Sequence, residues 1–436
     1  MNNDIQHLTF RLLSGSALLI AATGATGCTD DIRSADPVAV RVELDSGQPE
    51  TVPVTTGARV EFYNVSSGAV TAVEAAGSSI EAMVMPGFYN VSYTADTELH
   101  DGLKGRVTGQ VQGVAVTADG TVVRIPTFTS TLTDDLIVSE LYFTGSLQSS
   151  SDNYNGDQYI KLYNNTDHVV YADGLTIFES SFLTVEKYVY TPDIMSEAMT
   201  VDALYTIPGS GTDVPVLPGQ ELLLSDCAID HRAINPNSIG LTHSDFEWYD
   251  VSSTPYYTDI DNPDVPNLEK WYCYTLSVWH LHNRGFKAYG IARIPVEKDE
   301  YLRSYRYDYE YDNVTQAGTF PVSKRGYRLD NEWIVDLVTC SIPAKYAWNV
   351  SVPSLDMGWT YCGEIDGDKN RYFRAVRRAV ETVTHDGRVI LRDTNNSTAD
   401  FNPFVVPSEV ERQHAAVDSK GTPCTTLTYD GVMPIE

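Results

Sequence analysis

The sequence predicts a mainly β protein of two unequal units, and three observations predict it. Short stretches in which apolar and polar residues alternate recur between residues 37 and 130, separated by Gly, Pro, Asn and Asp. Longer apolar strands with Asn-Asn-Thr, Asp-Gly and Pro-Gly turns follow from residue 134. Only one stretch, Asp368 to Val383, carries a helical period. The chain has 436 residues, enough for two or three compact units. Its 42% hydrophobic content, with 27 Tyr, 13 Phe and 6 Trp, excludes a disordered acidic chain. The net charge of −29 repels polyphosphate and excludes a general nucleic-acid binder.

Taken in order, the first element is a leader. No charge interrupts Leu12 to Gly27, between Arg11 and Cys28. That run is shorter than the roughly 20 apolar residues needed to span a bilayer, so residues 1–27 read as an export signal. An acidic tether, 28–36, follows. Val38-Ala39-Val40-Arg41-Val42-Glu43-Leu44 then places apolar side chains on one face, and Asp45-Ser46-Gly47 ends it. Similar strands are expected at Ala58–Val65, Ala69–Glu74, Phe88–Tyr93, Gly105–Val116 and Thr121–Ile125. Together they predict a small β-sandwich over 37–130. The second unit, 134–408, opens with strands at Leu136–Leu141, Asp157–Thr166, Val169–Ile177 and Leu217–Leu224, leaving a C-terminal segment, 409–436.

Several of these stretches resemble known families. Ala25-Thr26-Gly27-Cys28 resembles a bacterial lipobox, which implies diacylation of Cys28 after cleavage. Asp30 and Asp31, just past that cysteine, resemble the surface-export signal of Bacteroidota lipoproteins, implying a body outside the cell. Met85-Pro86-Gly87-Phe88-Tyr89-Asn90-Val91 resembles the strand entry of carboxypeptidase-regulatory-like and immunoglobulin-like sandwiches. The strand order of the second unit resembles a lamin-tail domain, with Lys161 where Glu is usual and Leu175 where Trp is common. Further blocks, among them Asp261-Asn262-Pro263-Asp264, His282-Asn283-Arg284-Gly285-Phe286 and Asp393-Thr394-Asn395-Asn396, resemble a Bacteroidota lipoprotein family of no assigned function. That resemblance implies an outer-membrane surface lipoprotein, lipid-anchored and facing the extracellular side, beside a TonB-dependent receptor.

The chemistry-bearing residues are sparse. Beyond Cys28 the cysteines are Cys227, Cys273, Cys340, Cys362 and Cys424, an odd number with no zinc spacing, so at most two disulfides can form. Tyr305, Tyr307, Tyr309 and Tyr311 alternate with charged residues, so a strand puts four phenols on one face. That face either packs on the core or forms an aromatic binding face for a glycan, a peptide or a small porphyrin-like ligand. In the expected helix Asp368–Val383, Tyr372, Ala375, Val376 and Val380 face inward. Arg371, Arg374, Arg377 and Arg378 lie on the other faces, as solvated surface or as a docking patch for an acidic partner. His280 and His282 share a strand face but lack a visible third metal ligand. Asp366-Gly367-Asp368-Lys369-Asn370, and Asp259 with Asp261 and Asp264, have calcium-like spacing, but Arg371 and Arg377 replace the EF-hand glycine and glutamate. Ser210, in Pro208-Gly209-Ser210-Gly211, lacks the spacing of a nucleophile elbow.

No catalytic residue, metal ligand or cofactor is therefore assigned, apart from a weak allowance for structural calcium. The expectation is a binding protein or transporter accessory with aromatic surface on the insertions between Glu179 and Tyr205 and between Thr242 and Tyr327. A structural or adhesive surface module is the alternative. A hydrolase of unfamiliar type would require His280, His282 or His385 to meet carboxylates in a pocket.

Overall fold

The computed structural model describes residues 36–46, 55–75, 79–98, 104–131, 134–148, 152–255, 258–275 and 277–413. The molecule is mainly β, with three short α-helices among these residues. Among the described residues no helix is long and apolar enough to cross a membrane.

Seven strands form the first sheet: β1 (Val38–Asp45), β2 (Thr55–Asn64), β3 (Val70–Glu74), β4 (Ser79–Val84), β5 (Gly87–Glu98), β6 (Lys104–Val116) and β7 (Thr121–Thr131), in the order β3-β2-β5-β6-β7-β1-β4. Alternate residues point inward, Val40 and Val42 on β1, Val60 and Phe62 on β2, Tyr89, Val91, Tyr93 and Ala95 on β5, and fill one core of their own. The sheet has two distinct ends. Val38 pairs with Val84, Asn64 with Tyr89 and Gly87 with Val116, so the tether enters β1 beside the turns that join β2 to β3 and β4 to β5. At the other end Glu98 pairs with Lys104 and Gly105 with Thr131, where the chain leaves for the second unit.

Two further sheets pack face to face. One has Ile137–Tyr142 at its centre, flanked by Tyr159–Tyr163 and Ala375–Arg378, with Glu221–Ser225, Phe246–Glu247 and Phe401–Val405 outside them. The other runs Arg306–Thr315, Gly318–Asp330, Ala198–Thr206, Leu175–Ser180, Ala288–Arg293, Ile334–Thr339, with Glu269–Cys273 also paired to Ala198–Thr206. Leu141, Leu162, Ile177, Tyr205, Trp248, Trp279 and Ile291 fill the space between them. Each sheet is also covered on its outer face, by clusters around Tyr142, Tyr159 and Phe373 on one side and around Phe178, Tyr301 and Trp348 on the other. Both faces being covered, every residue of Ile137–Tyr142 and Leu175–Ser180 is buried.

The helix expected over Asp368–Val383 is not there. A 3-10 turn at Lys369–Arg371 is followed by the strands Ala375–Arg378 and Val380–Val383. The period of three and four came from a strand whose opposite faces are both interior. Val376 enters the core between the sheets and Ala375 the outer cluster. The arginines are mostly counterions of buried acids rather than surface. Arg378 is buried, with Nη2 2.6 Å from Asp336 and Nη1 3.2 Å from Asp393. Arg377 reaches Glu411 at 2.9 Å, and Arg371 lies over the Tyr372 ring. Lys161 is likewise buried, 2.9 Å from Glu409 and 3.3 Å from Glu221.

Candidate functional site

The tyrosine run lies on the hairpin of Arg306–Thr315 and Gly318–Asp330, in register Tyr307 to Gly326, Tyr309 to Lys324 and Tyr311 to Val322. Its phenols share one face, and their surroundings grade along the strand. Tyr305 is half-buried against Tyr301 and Trp333. Tyr307 and Tyr309 are buried and stacked, centroids 5.1 Å apart, and the Tyr307 hydroxyl donates to the Pro192 carbonyl. Tyr311, at the outer end, is half-buried, 4.5 Å from Tyr188 and 5.5 Å from Tyr190.

What covers Tyr307 and Tyr309 is the segment after Leu175–Ser180. Thr191 and Glu310 exchange backbone hydrogen bonds, which ties this segment to the hairpin edge. Tyr190 stacks on Phe182 at 3.8 Å, and Trp348 continues the stack at 6.2 Å from Tyr190. The Lys187 ammonium sits 5.2 Å from the Trp348 ring centre. Val189 between the two tyrosines is 87% exposed. Burial and the neighbouring phenols push Tyr190 and Tyr309 up, so both remain hydrogen-bond donors at any physiological pH. The result is an aromatic ladder anchored in the core and open to solvent at Tyr188, Tyr190 and Tyr311.

His280 meets carboxylates, whereas His282 packs on Phe286 and His385 is exposed. The Nδ1 of His280 lies 2.8 Å from Asp226. Burial opposes protonation of His280, but Asp226, the hydrogen bond to it and Asp259 outweigh that and push it up to about 9. Burial, and with it repulsion from Asp250, raises Asp226 although His280 opposes this; burial and then Asp226 raise Asp259. A carboxylate oxygen of each and the Cys227 thiol lie within 4.8 Å of one another, a donor set that a divalent cation could use. The thiol itself is held neutral, pushed up by burial and then by Asp226, which is the reverse of what a nucleophile needs. On the far side His231 is buried. Its Nε2 donates to the Cys227 carbonyl at 2.9 Å and its Nδ1 accepts from Tyr154 at 2.8 Å, which fixes the neutral tautomer.

The remaining sequence candidates are structural. Asp366 pairs with Arg284 at 2.8 Å and Lys345 at 2.6 Å, and Asp368 caps the 3-10 turn through Asn370 N–H. Asp259 accepts from Asp250 N–H and Asp261 from the Asn267 amide. Ser210 lies exposed in a loop held by Asp213. Cys227, Cys273, Cys340 and Cys362 are buried free thiols. Cys28, Asp30, Asp31 and Cys424 lie outside the described residues.

A cleft of about 520 Å³, which sequence reasoning missed, separates the first sheet from the second unit. Its arginines are already engaged: Arg59 with Glu61 at 2.8 Å, Arg106 with Asp96 at 3.0 Å, Arg392 with Glu381 at 2.7 Å, and Arg388 with the Thr166 carbonyl at 2.7 Å. Asn396 donates to Gln110 across the seam at 2.8 Å. An ionic ligand would have to displace these partners. No local sequence signal marks the cleft, because its lining comes from three separate parts of the chain, within residues 57–109, 134–167 and 357–399.

Residues 217–408 match the family described as protein of unknown function (DUF4876). A crystal structure of a DUF4876 family protein from Bacteroides thetaiotaomicron is similar in fold, with 20% identity, a TM-score of 0.52 and coverage of 85% of this chain and 96% of that one. A candidate adhesin from Bacteroides ovatus aligns over 70% of this chain and 88% of its own at 9% identity, with a TM-score of 0.18, too low to carry an argument. No curated protein matches the chain.

Proposed function

We propose that the protein is a non-enzymatic binding module held on the outer face of the outer membrane by a lipid on Cys28, with a lamin-tail-like larger unit presenting its recognition surface. The observation that carries the reading is the aromatic ladder, which leaves Tyr188, Tyr190 and Tyr311 half-buried beside exposed Val189. Pre-ordered rings of this kind suit the apolar face of a sugar or an extended peptide, since little side-chain entropy is lost on contact. The buried, neutral Cys227 beside Asp226 and Asp259 supports binding over nucleophilic catalysis. The leader, Ala25 to Cys28, and the acidic pair Asp30 and Asp31 support the address. In that setting a TonB-dependent receptor is the proposed partner, and a small glycan or peptide the ligand.

The test uses the chain from residue 29 onward, probed on glycan and peptide arrays beside the Tyr188→Ala/Tyr311→Ala double variant. Binding to one class, lost at least tenfold in a variant of unchanged melting temperature, is the expected result. Equal binding by both proteins places recognition elsewhere. Mild-detergent purification from native membranes tests the partner: emergence alone, even after crosslinking, removes the transporter from the proposal. Cys28→Ala abolishes radiolabelled palmitate incorporation if the anchor is real.

A further inference from the structure

The first sheet carries its exposed apolar residues at one end. Tyr63, Val65, Val70, Met83, Met85 and Phe88 are 45, 52, 55, 59, 42 and 58% exposed. Tyr63 is opposite Val70, and Val65 N–H donates to the Phe88 carbonyl, so these four are cross-strand neighbours that share a face. Met83 and Met85 flank them at the end of β4 and the turn beyond it. Six large apolar side chains gathered this way exceed the scattered exposure ordinary on a soluble surface.

Charge is distributed in the opposite sense. No charged residue occurs in 62–73, 82–95 or 107–118, the three stretches that build this end, although 59 acidic and 30 basic residues populate the chain. Of the charges of the same strands, Arg59, Glu61, Asp96, Glu98 and Arg106 sit toward the second unit, Glu74 is opposite Arg59, and Glu81 is opposite Arg41 on the neighbouring β1. Asp119, on the turn between β6 and β7, spends its carboxylate on Ala39 N–H at 2.8 Å, and Asp36 belongs to the tether.

That tether supplies the partner. β1 begins at Val38, paired with Val84 at this same end. The ten residues from Cys28 through Pro37 span at most about 35 Å when fully extended, so a lipid on Cys28 holds this end within reach of the bilayer. The exposed side chains sit on strand ends and the turns between them, which suits a deformable interface. Few carboxylates lie here, Asp119 being hydrogen-bonded to Ala39 N–H and Glu81 standing opposite Arg41, which limits repulsion from anionic headgroups.

We propose that this end of the first sheet contacts lipid, with Tyr63, Val65, Val70, Met85 and Phe88 seated at the headgroup–acyl boundary of the membrane that bears the anchor. The inference rests on the lipid-anchor reading. Contact at this end would stand the first sheet on the membrane and direct the second unit, with its aromatic ladder, away from it.

The experiment labels Val65→Cys with an environment-sensitive nitrobenzoxadiazole dye in the lipidated chain, reconstituted into 3:1 phosphatidylethanolamine:phosphatidylglycerol vesicles. A blue-shifted emission, quenched by nitroxide lipids labelled near the headgroup, is expected. The same dye on Arg325→Cys, on the distant hairpin, should stay water-like. In the chain from residue 29, Phe88→Ser/Met85→Ser should lower vesicle flotation at least fivefold without changing the circular dichroism spectrum. A water-like Val65 dye in a chain that carries its lipid overturns the contact and leaves the anchor standing. Palmitate labelling that survives Cys28→Ala overturns the anchor instead. A blue shift found in native membranes and absent from vesicles assigns the surface to a protein and overturns the lipid contact.

Discussion

Replacing Arg378 by methionine keeps the apolar stem and removes the cation that joins four segments of the larger unit. The Nε of Arg378 donates to the Val138 carbonyl at 2.8 Å, Nη1 to Arg392 O at 2.9 Å, and Nη2 to Asp336 at 2.6 Å. Asp400 lies 3.8 Å away, and the guanidinium covers the Phe401 ring at 4.7 Å. Breaking a buried pair by removing one partner costs about 3–5 kcal/mol. Asp336 keeps the N–H of Val138 at 2.7 Å and of Leu337 at 2.9 Å, which softens the loss, while two carbonyls are left without this donor at about 1 kcal/mol each. The expected net loss is about 4 kcal/mol. Adding Asp336→Asn removes the uncompensated carboxylate and recovers about 1–2 kcal/mol, a coupling that only direct contact explains. All six tryptophans fall between Trp248 and Trp359, so tryptophan fluorescence in urea reads this unit and is blind to the first sheet. A loss below about 1 kcal/mol, or strict additivity in the double variant, refutes the assigned role.

Three further outcomes follow from the same geometry. Burial pushes His231 down to about 4 from an unfolded value of about 6.5, so the stability it contributes is complete above 6.5 and is lost as pH falls toward 4, by up to about 1.4 kcal/mol per pH unit. Urea titrations at pH 7 and 5 should show that His231→Asn removes one proton of this dependence, and an NMR titration midpoint near 6.5 contradicts it. His280, pushed up to about 9, contributes below about 6.5 and loses its contribution as pH rises through 9. Asp226→Asn should therefore lower the His280 midpoint in the same NMR experiment, and an unchanged midpoint rejects the pairing. Tyr309→Ala empties a packed site and costs about 3 kcal/mol, whereas Tyr311→Ala at the ladder's outer end costs less than about 1 kcal/mol; equal losses would mean the ladder is not graded.

How far the sequence could be read depended on how many faces of a strand are covered. β1, β2, β3, β5, β6 and β7 each hide one face, so alternation is visible, and the strands found in the chain lie where alternation places them. β4 escaped because Ser79-Ile80-Glu81-Ala82-Met83-Val84 is short, and its Ala82 and Met83 signal either state. In the doubly covered sheets the pattern fails. Ala375 and Val376 go to opposite cores and Arg378 is itself interior, so a real strand imitates a helix with a basic face. At the candidate site, the shared face of Tyr305 to Tyr311 was legible because it depends only on strand geometry. Which phenols are covered was not, because Tyr190 and Trp348 are brought from more than a hundred residues away on one side and about forty on the other. The pairing of His280 with Asp226 across 54 residues has no local signal either.

The acidic surplus gains a physical explanation from the same structure. Twelve carboxylates are buried among the described residues, against four buried lysines and arginines, so cations alone do not balance them. Backbone N–H groups of irregular segments do much of the rest. Asp356 accepts from Thr339, Gly358 and Ser397 N–H; Glu247 from Ala228 and Asn262; Asp173 from Asp213 and Val214; Asp400 from Thr394 and Asn396. Long loops inside a β protein strand their amides out of any ladder, and a carboxylate with several lone pairs can satisfy two or three at once. Part of the negative charge is therefore the means by which insertion-rich loops become ordered rather than surface decoration. The first sheet, with its shorter turns, needs few such carboxylates, and the acidic residues concentrate where the loops are long.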